Sequence, residues 1–286
     1  MASGRDQARK LAAEYFKQLG ETGETEVYLP FGEARNIRGE GESRAASPSA
    51  APAESGEATA TTKPATATAE PDEPAPEIIA VKLAFTTDAT TGDMFSGASG
   101  LEKCATLDAV EAASAGCEKC ELAGGRTKIV FGVGNPNARL MFIGEAPGRD
   151  EDTQGVPFVG RAGQLLNKIL EAAEIERDDV YIANIIKCRP PNNRTPLTNE
   201  IEACIPYLGR QVALIAPKII CTLGLPATQT LLGLRGSMGS LRGKMYVEGD
   251  VKVIPTYHPA AALRDPKYKR PIWDDFQLIK REYTRK

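Results

Sequence analysis

Acidic residues and glycines crowd a stretch that follows an apolar run, GEAPGRDEDTQGVPFVGRAGQLL (144–166). It holds the carboxylates of Glu145, Asp150, Glu151 and Asp152, which are more than a simple turn requires. The glycines at 148, 155, 160 and 163 in the same stretch would let a ligand approach the backbone closely. The pattern indicates a ligand-binding loop, and a solvated acidic loop that caps the next helix is the alternative.

Three further side chains have the chemistry to hold a flat, polar ligand such as a nucleic-acid base. Phe158 lies inside the loop, away from any periodic apolar face, and can serve as a stacking surface or as a core residue. Asn184 interrupts an apolar strand, where its amide needs either a base edge or loop backbone as partner. His258, the only histidine, follows a strand and can donate a hydrogen bond into a shared pocket or be structural.

Four of the six cysteines have a spacing that suits a metal site. Cys117 and Cys120 form a CxxC pair, Cys188 follows after 67 residues, and Cys204 follows after 15 more. Four thiolates can bind zinc or a four-iron cluster, and spacing alone does not choose between them. Cys221 lies in an apolar strand and is predicted to be a buried thiol.

The elements that must position these residues alternate between strands and helices. Strands are predicted at 128–134, 139–145, 180–188 and 218–224, with a hairpin at 244–257 that turns through Glu248-Gly249-Asp250. Helices are predicted at 106–115, 163–175, 199–217, 226–233 and 273–284. This alternation favours an α/β fold, a three-layer αβα sandwich with a mostly parallel central sheet whose strand ends carry the chemistry.

The first hundred residues differ from the rest in composition. Residues 6–19 have the spacing of a short amphipathic helix. From about residue 39 the chain is rich in Ala, Pro, Glu, Ser and Thr, a composition that cannot offset the entropy of ordering. We therefore predict an N-terminal extension at 1–38, a disordered linker at 39–100 and one folded domain at 101–286.

Charge divides along the same boundary. Residues 1–100 contain 9 basic and 16 acidic residues, whereas residues 101–286 contain 26 basic and 22 acidic ones. A net positive body permits nucleic-acid binding inside a chain whose total charge is −3. No run of apolar residues is long enough for a membrane span and no signal peptide is evident, so we expect a cytoplasmic protein, and a monomer.

Five segments, in their order along the chain, resemble the family 4 uracil-DNA glycosylases, the iron-sulfur class of the uracil-DNA glycosylase superfamily. They are GEAPGRDED (144–152), PFVGRAGQLL (157–166), NIIKCRPPNNRTP (184–196), LLGLRGSMGSLRGK (231–244) and YHPAAALRDP (257–266). With the cysteine quartet, the resemblance covers about residues 105–284. The first motif is neither the GLAPA type of family 5 nor the GEQPG type of the class that bonds covalently to uracil.

The resemblance implies a monofunctional DNA repair enzyme that flips uracil out of DNA, single- or double-stranded, and hydrolyses its N-glycosidic bond. It also implies a [4Fe-4S] cluster, which we expect to be structural, held by the family's four ligand positions: Cys117, Cys120, Cys188 and Cys204.

The resemblance further assigns roles to single residues. Phe158 would stack on the flipped uracil, Asn184 would recognise its edge, and His258 would face its O2. The backbone of Gly144, Glu145 and Ala146 would border the base. Glu145 and Glu151 occupy acidic positions implicated in catalysis.

Two other classes of function stay open on the residues alone. A non-enzymatic iron-sulfur or zinc module that binds nucleic acid, such as a polymerase accessory protein, would explain the cysteines. An electron-transfer protein would ordinarily use a more compact cysteine run. Basic residues in the motif loops are expected to contact phosphates, or else are surface charges: Arg189, Arg194, Arg242, Lys244 and Arg264.

Overall fold

The computed structural model describes residues 76–83 and 100–285. The helix predicted at 6–19, the extension predicted at 1–38 and most of the linker predicted at 39–100 lie outside these described residues. Within them, no helix combines the length and the apolar character needed to cross a membrane.

Seven strands of the described residues form one sheet. They are β1 (Glu77–Ala80), β2 (Val133–Gly134), β3 (Leu140–Gly144), β4 (Tyr181–Asn184), β5 (Ile219–Leu223), β6 (Lys244–Glu248) and β7 (Val251–Thr256). Their spatial order is β1-β6-β7-β5-β3-β4-β2. Only the β6–β7 and β2–β4 pairs are antiparallel, so the predicted mostly parallel sheet is confirmed.

Helices of the described residues cover both faces of this sheet. They are α1 (Leu107–Ser114), α2 (Arg149–Gln154), α3 (Arg161–Ala172), α4 (Thr198–Ile215), α5 (Leu225–Leu232), α6 (Met238–Leu241), α7 (Pro259–Arg264) and α8 (Lys269–Thr284). Because side chains alternate along a strand, Leu140 and Phe142 of β3 join one core with α3 and α8. Met141 and Ile143 face the other core, with α4 and α5. The predicted αβα sandwich is confirmed.

The parallel strands β3, β4, β5 and β7 all end at the same edge of the sheet. The loops that follow them are therefore neighbours in space, although they are far apart in the sequence. The predicted hairpin is confirmed, with Glu248 paired to Val251 across its turn.

Two segments differ from the predicted elements. The strand predicted at 128–134 is reduced to the two residues of β2. A side chain at Gly134, which has φ of 134°, would lie 2.0 Å from the Val180 carbonyl oxygen, so only glycine fits where β2 pairs with β4. Residues 77–80, inside the linker predicted at 39–100, form edge strand β1, whose Glu77 pairs with Lys244.

Helix boundaries also differ in places. The short helices α2, α6 and α7 follow turns inside the motif segments, where apolar periodicity is too short to reveal them. Helix α8 begins at Lys269 rather than at 273.

Candidate active site

A cleft opens where β3, β4 and β7 end. It encloses about 970 Å³ of space between protein atoms, part of it open to solvent. Its lining includes most of the predicted site residues: Glu145, Ala146, Glu151, Phe158, Asn184 and His258. Residues from three separate strand ends thus converge, as the parallel sheet requires.

Gly144, the last residue of β3, lies beneath this cleft. A Cβ atom added there would lie 2.4 Å from the Asn184 Oδ1 atom and 2.8 Å from the Phe158 ring. The missing side chain lets the amide and the ring approach each other across the strand end. Only a glycine therefore fits at position 144 while Asn184 and Phe158 keep these positions.

Asn184 ends β4 with a buried side chain. Its Oδ1 atom makes no hydrogen bond to any described residue, although it is shielded from bulk solvent. An unpaired buried acceptor costs free energy, which a donor that enters the cleft would recover. The cleft therefore presents an amide oxygen to a ligand N–H group.

Phe158 has a strained backbone with φ of 54°, which a bulky residue seldom adopts. Its carbonyl oxygen would lie 1.8 Å from a Cβ atom at Gly163, so the first turn of α3 can pack against Phe158 only with a glycine at that position. The ring lies 5.4 Å from the His258 ring, centroid to centroid, at an angle of 32°. A flat apolar surface is thus held beside two polar groups.

His258 precedes α7 and caps it, because its Nδ1 atom accepts a hydrogen bond from the Ala260 N–H at 3.1 Å. The ring proton must then reside on Nε2. Burial, reinforced by the charge of Arg264, lowers the pKa of His258 to about 4. At neutral pH the residue is an uncharged donor through Nε2.

Glu145 follows β3 and lines the cleft. Burial raises its pKa, while a hydrogen bond with the Thr195 side chain and the charge of Arg264 act in the opposite direction. A partly desolvated carboxylate interacts strongly with any positive charge that develops beside it.

Glu151 also lines the cleft, but its carboxylate is occupied by backbone. Oε1 accepts hydrogen bonds from the N–H groups of Val159 and Gly160 at 3.0 and 2.9 Å, and Oε2 accepts one from Gly148 at 3.1 Å. These bonds hold the loop that carries Phe158 against the start of α2. These contacts indicate a structural role for Glu151, in which its carboxylate braces the Phe158 loop.

A second cavity brings the four predicted ligand cysteines together. Cys117, Cys120, Cys188 and Cys204 line about 330 Å³ of space between protein atoms, part of it open. The Lys187 N–H donates to the Cys204 Sγ atom at 3.2 Å, and Arg126 donates to the Cys188 Sγ atom at 3.7 Å. Burial raises the pKa of Cys204 to about 12, so metal binding must displace its proton.

The donor set of this cavity fits a polynuclear centre. Among residues 76–83 and 100–285, no three His, Cys, Asp or Glu side chains are placed to hold one metal ion together. A four-iron cluster takes one thiolate on each iron, and the four cysteines that line the cavity supply that number. N–H donors to the sulfur atoms are the expected surroundings of such a group.

The basic residues divide into two groups. Arg242 forms a bidentate pair with buried Asp275, and Lys244 pairs with Glu77, so phosphate contacts are not supported at either position. Three others lie near the cleft or in a neighbouring groove: Arg189, which donates to the Asn193 side chain, Arg194, which pairs with buried Glu200, and Arg264.

Sequence reasoning missed three residues near these sites. Thr195 bonds Glu145, Asn193 lines the cleft, and Lys187 lies buried beside the cysteines. A lysine inside an apolar run, next to a candidate metal ligand, was a signal in the sequence for the third. The first two act through contacts that spacing does not reveal.

Comparisons with known proteins show the family of the chain. Residues 131–277 match the model of the Uracil DNA glycosylase superfamily. The chain is 47% identical over 184 residues to the Type-4 uracil-DNA glycosylase of Sulfurisphaera tokodaii, covering 61% of this chain and 84% of that protein. It is 45% identical over 182 residues to the Type-4 enzyme of Archaeoglobus fulgidus, covering 61% and 92%.

A more distant relative is the Type-5 uracil-DNA glycosylase of Pyrobaculum aerophilum. Identity is 31% over 144 residues, covering 44% of this chain and 63% of that protein. The similarity is thus higher to the Type-4 proteins, which agrees with the first motif. The chain belongs to the uracil DNA glycosylase superfamily.

Proposed function

We propose that this chain excises uracil from DNA by hydrolysing the N-glycosidic bond, which releases free uracil and leaves an abasic site. The observation that carries the proposal is the unpaired Asn184 Oδ1 atom in a cleft that also contains the Phe158 ring and the Nε2 donor of His258. The Type-4 relatives are named for this activity.

Recognition would begin with a base that has left the duplex stack, because a paired base cannot enter the cleft. The Phe158 ring would stack on the flipped uracil and offset part of the unstacking cost. Asn184 Oδ1 would accept the uracil N3–H, and its Nδ2 group would donate to O4. Cytosine has an acceptor at N3 and an amino donor at C4, the reverse of uracil. It would therefore leave the buried amide groups of Asn184 unpaired.

Bond cleavage leaves positive charge on the sugar and negative charge on the departing base. A neutral His258 would donate from Nε2 to uracil O2, where the negative charge develops. The Glu145 carboxylate would stabilise the sugar cation or orient the attacking water. We propose that Glu151 supports this chemistry by holding the Phe158 loop through its three backbone hydrogen bonds.

We further propose that the cysteine quartet holds a [4Fe-4S] cluster. When bound, it would cross-link the turn after α1, the segment after β4 and helix α4, without redox chemistry in excision. Loss of excision on chemical reduction of an intact cluster would contradict this role. The cytoplasmic compartment and the monomeric state stay predictions from the sequence.

The test is incubation with a labelled oligonucleotide that contains one uracil, followed by hot alkali to cut at abasic sites. Asn184→Ala and Glu145→Ala should each lower the single-turnover rate constant by on the order of a hundredfold. Asn137→Ala, at an exposed asparagine outside the cleft, is the matched control and should retain the wild-type rate.

The competing function is a nucleic-acid-binding module without catalysis. It would be favoured if folded, iron-loaded wild-type protein bound the oligonucleotide and left uracil in place in both single- and double-stranded form.

A further inference from the structure

The side chain of Lys187 is buried between the cysteine cavity and the cleft. Its Nζ atom donates to the Asn184 carbonyl oxygen at 3.0 Å and to the Gln211 Oε1 atom at 2.6 Å. The Phe131 ring lies 5.9 Å from the same nitrogen, measured to the ring centroid. Only 2% of the residue is exposed, so water cannot solvate the ammonium group.

Both hydrogen-bond acceptors of this ammonium group are neutral. No carboxylate of the described residues forms an ion pair with Lys187. Burying an ammonium without a counter-charge is expensive, and buried charges in proteins are ordinarily paired. Burial lowers the pKa of Lys187 to about 8, and its charged form lacks a negative partner among the described side chains.

The cysteine cavity is where that negative charge would arise. Lys187 lines this cavity with the four cysteines, and its backbone N–H donates to Cys204 Sγ. Four thiolates around an iron-sulfur core leave a net negative charge, and nearby charges and N–H donors set the reduction potential of such a core. The buried Lys187 borders this cavity, where a positive charge would balance the negative charge of the cluster.

The same ammonium group also holds the end of β4. It bonds the carbonyl oxygen of Asn184, whose side chain presents the unpaired Oδ1 atom to the cleft. Gln211 of α4 extends the network, because its Nε2 group donates to the Phe131 carbonyl and the Tyr181 hydroxyl. One side chain thus touches the cysteine helix and the residue that faces the base.

We propose that Lys187 is a positioning residue that serves as the internal counter-cation of the cysteine cluster and fixes the strand end that carries Asn184. Its effect on excision rests on the proposed function, whereas its effect on the cluster does not. A residue of this kind couples metal occupancy to the geometry of base recognition.

The experiment compares Lys187→Met with wild type in the full-length, iron-loaded protein. We expect a lower reduction potential in a redox titration followed by electron paramagnetic resonance, because removing a nearby cation disfavours the added electron. We also expect single-turnover excision to fall by about ten- to a hundredfold, as for other outer partners of metal ligands, with little change in DNA affinity.

Three further variants separate charge from packing. Lys187→Arg keeps the charge in a different shape, so it should hold the wild-type potential while excision falls. Tyr181→Phe removes a hydrogen bond of the network without changing charge, and Lys168→Met removes an exposed lysine of α3. Both should keep the wild-type potential.

A wild-type potential in iron-loaded Lys187→Met would overturn the counter-cation role, and wild-type excision in that variant would overturn the positioning role. Should Lys187→Met fail to fold, Lys187→Gln, which keeps a donor near the Asn184 carbonyl, provides the same test of potential. If wild type excises nothing while the potential still shifts, the proposed function fails and the counter-cation role stands.

Discussion

The cleft and the cysteine cavity are built on opposite principles. In the cleft, backbone hydrogen bonds fix the Phe158 loop and a capping bond fixes the His258 tautomer. The Asn184 Oδ1 atom has no donor among the described residues. In the cavity, burial raises the pKa of Cys204 to about 12, which keeps this thiol protonated. The first site is preorganised by the fold, whereas the second would become a strong cross-link only with the proposed cluster bound.

Loss of one cysteine should have the largest effect on stability, because it would remove one ligand of the proposed metal centre that joins three segments of the chain. Cys204→Ser should lose iron and lower the free energy of unfolding by about 2–5 kcal/mol, as for a native cross-link that closes a long loop. Iron analysis and thermal unfolding measure both quantities. Cys221→Ala changes a buried cysteine of β5 away from the cavity and should retain iron. Full iron content in Cys204→Ser would contradict the ligand assignment.

Glu151→Gln should weaken the preorganisation of the cleft. Replacing one carboxylate oxygen by an amide group leaves at least one backbone N–H unpaired, which costs about 1–3 kcal/mol of stability. Denaturant unfolding measures this loss, and iron content should not change. Exposed Glu171→Gln on α3 is the control. A variant as stable as wild type, with unaltered excision, would remove the bracing role.

The pH dependence of excision should distinguish the two catalytic groups. The proposed mechanism requires an ionised Glu145 and a neutral His258, so the rate constant should decrease as the pH falls. Glu145 has a raised pKa and protonates first, whereas the pKa of His258 is about 4. In Glu145→Gln the rate should be lower and should stay level until the pH approaches 4. A His258-controlled decrease near pH 6.5 in that variant would contradict the lowered pKa.

Arg264→Ala should have the smallest effect, at the mouth of the cleft. If Arg264 contacts a phosphate, DNA affinity should fall several-fold, and the slope of log affinity against log salt should lessen by about one. Arg242→Ala should leave that slope unchanged, because Arg242 is bound to Asp275. Equal slopes in all three proteins would remove the phosphate contact.

Much of this comparison could be predicted from the sequence. The sheet, its two covering layers and the convergence of Asn184, Phe158 and His258 follow from strand and helix periodicity together with the parallel-sheet rule. The cysteine quartet was visible in its spacing. These features depend on local pattern and on topology.

Other features depend on contacts between distant parts of the chain. Arg242 was expected to contact phosphate or to be a surface charge, because it lies in a motif loop. No sequence pattern reveals that Asp275, 33 residues later, binds it. The backbone hydrogen bonds of Glu151 and the double contact of Lys187 are likewise set by packing. Such contacts between distant segments arise from packing and leave no pattern in the sequence.

Edge strand β1 has a practical consequence for shortening the chain. A protein that begins at residue 101 would keep the cleft and all four cysteines, yet it would strip β6 of its parallel neighbour and of the Glu77–Lys244 ion pair. The exposed row of N–H and C=O groups would then be a template for strand pairing between molecules. A chain that begins at Pro76 should stay dispersed at concentrations where the shorter one aggregates.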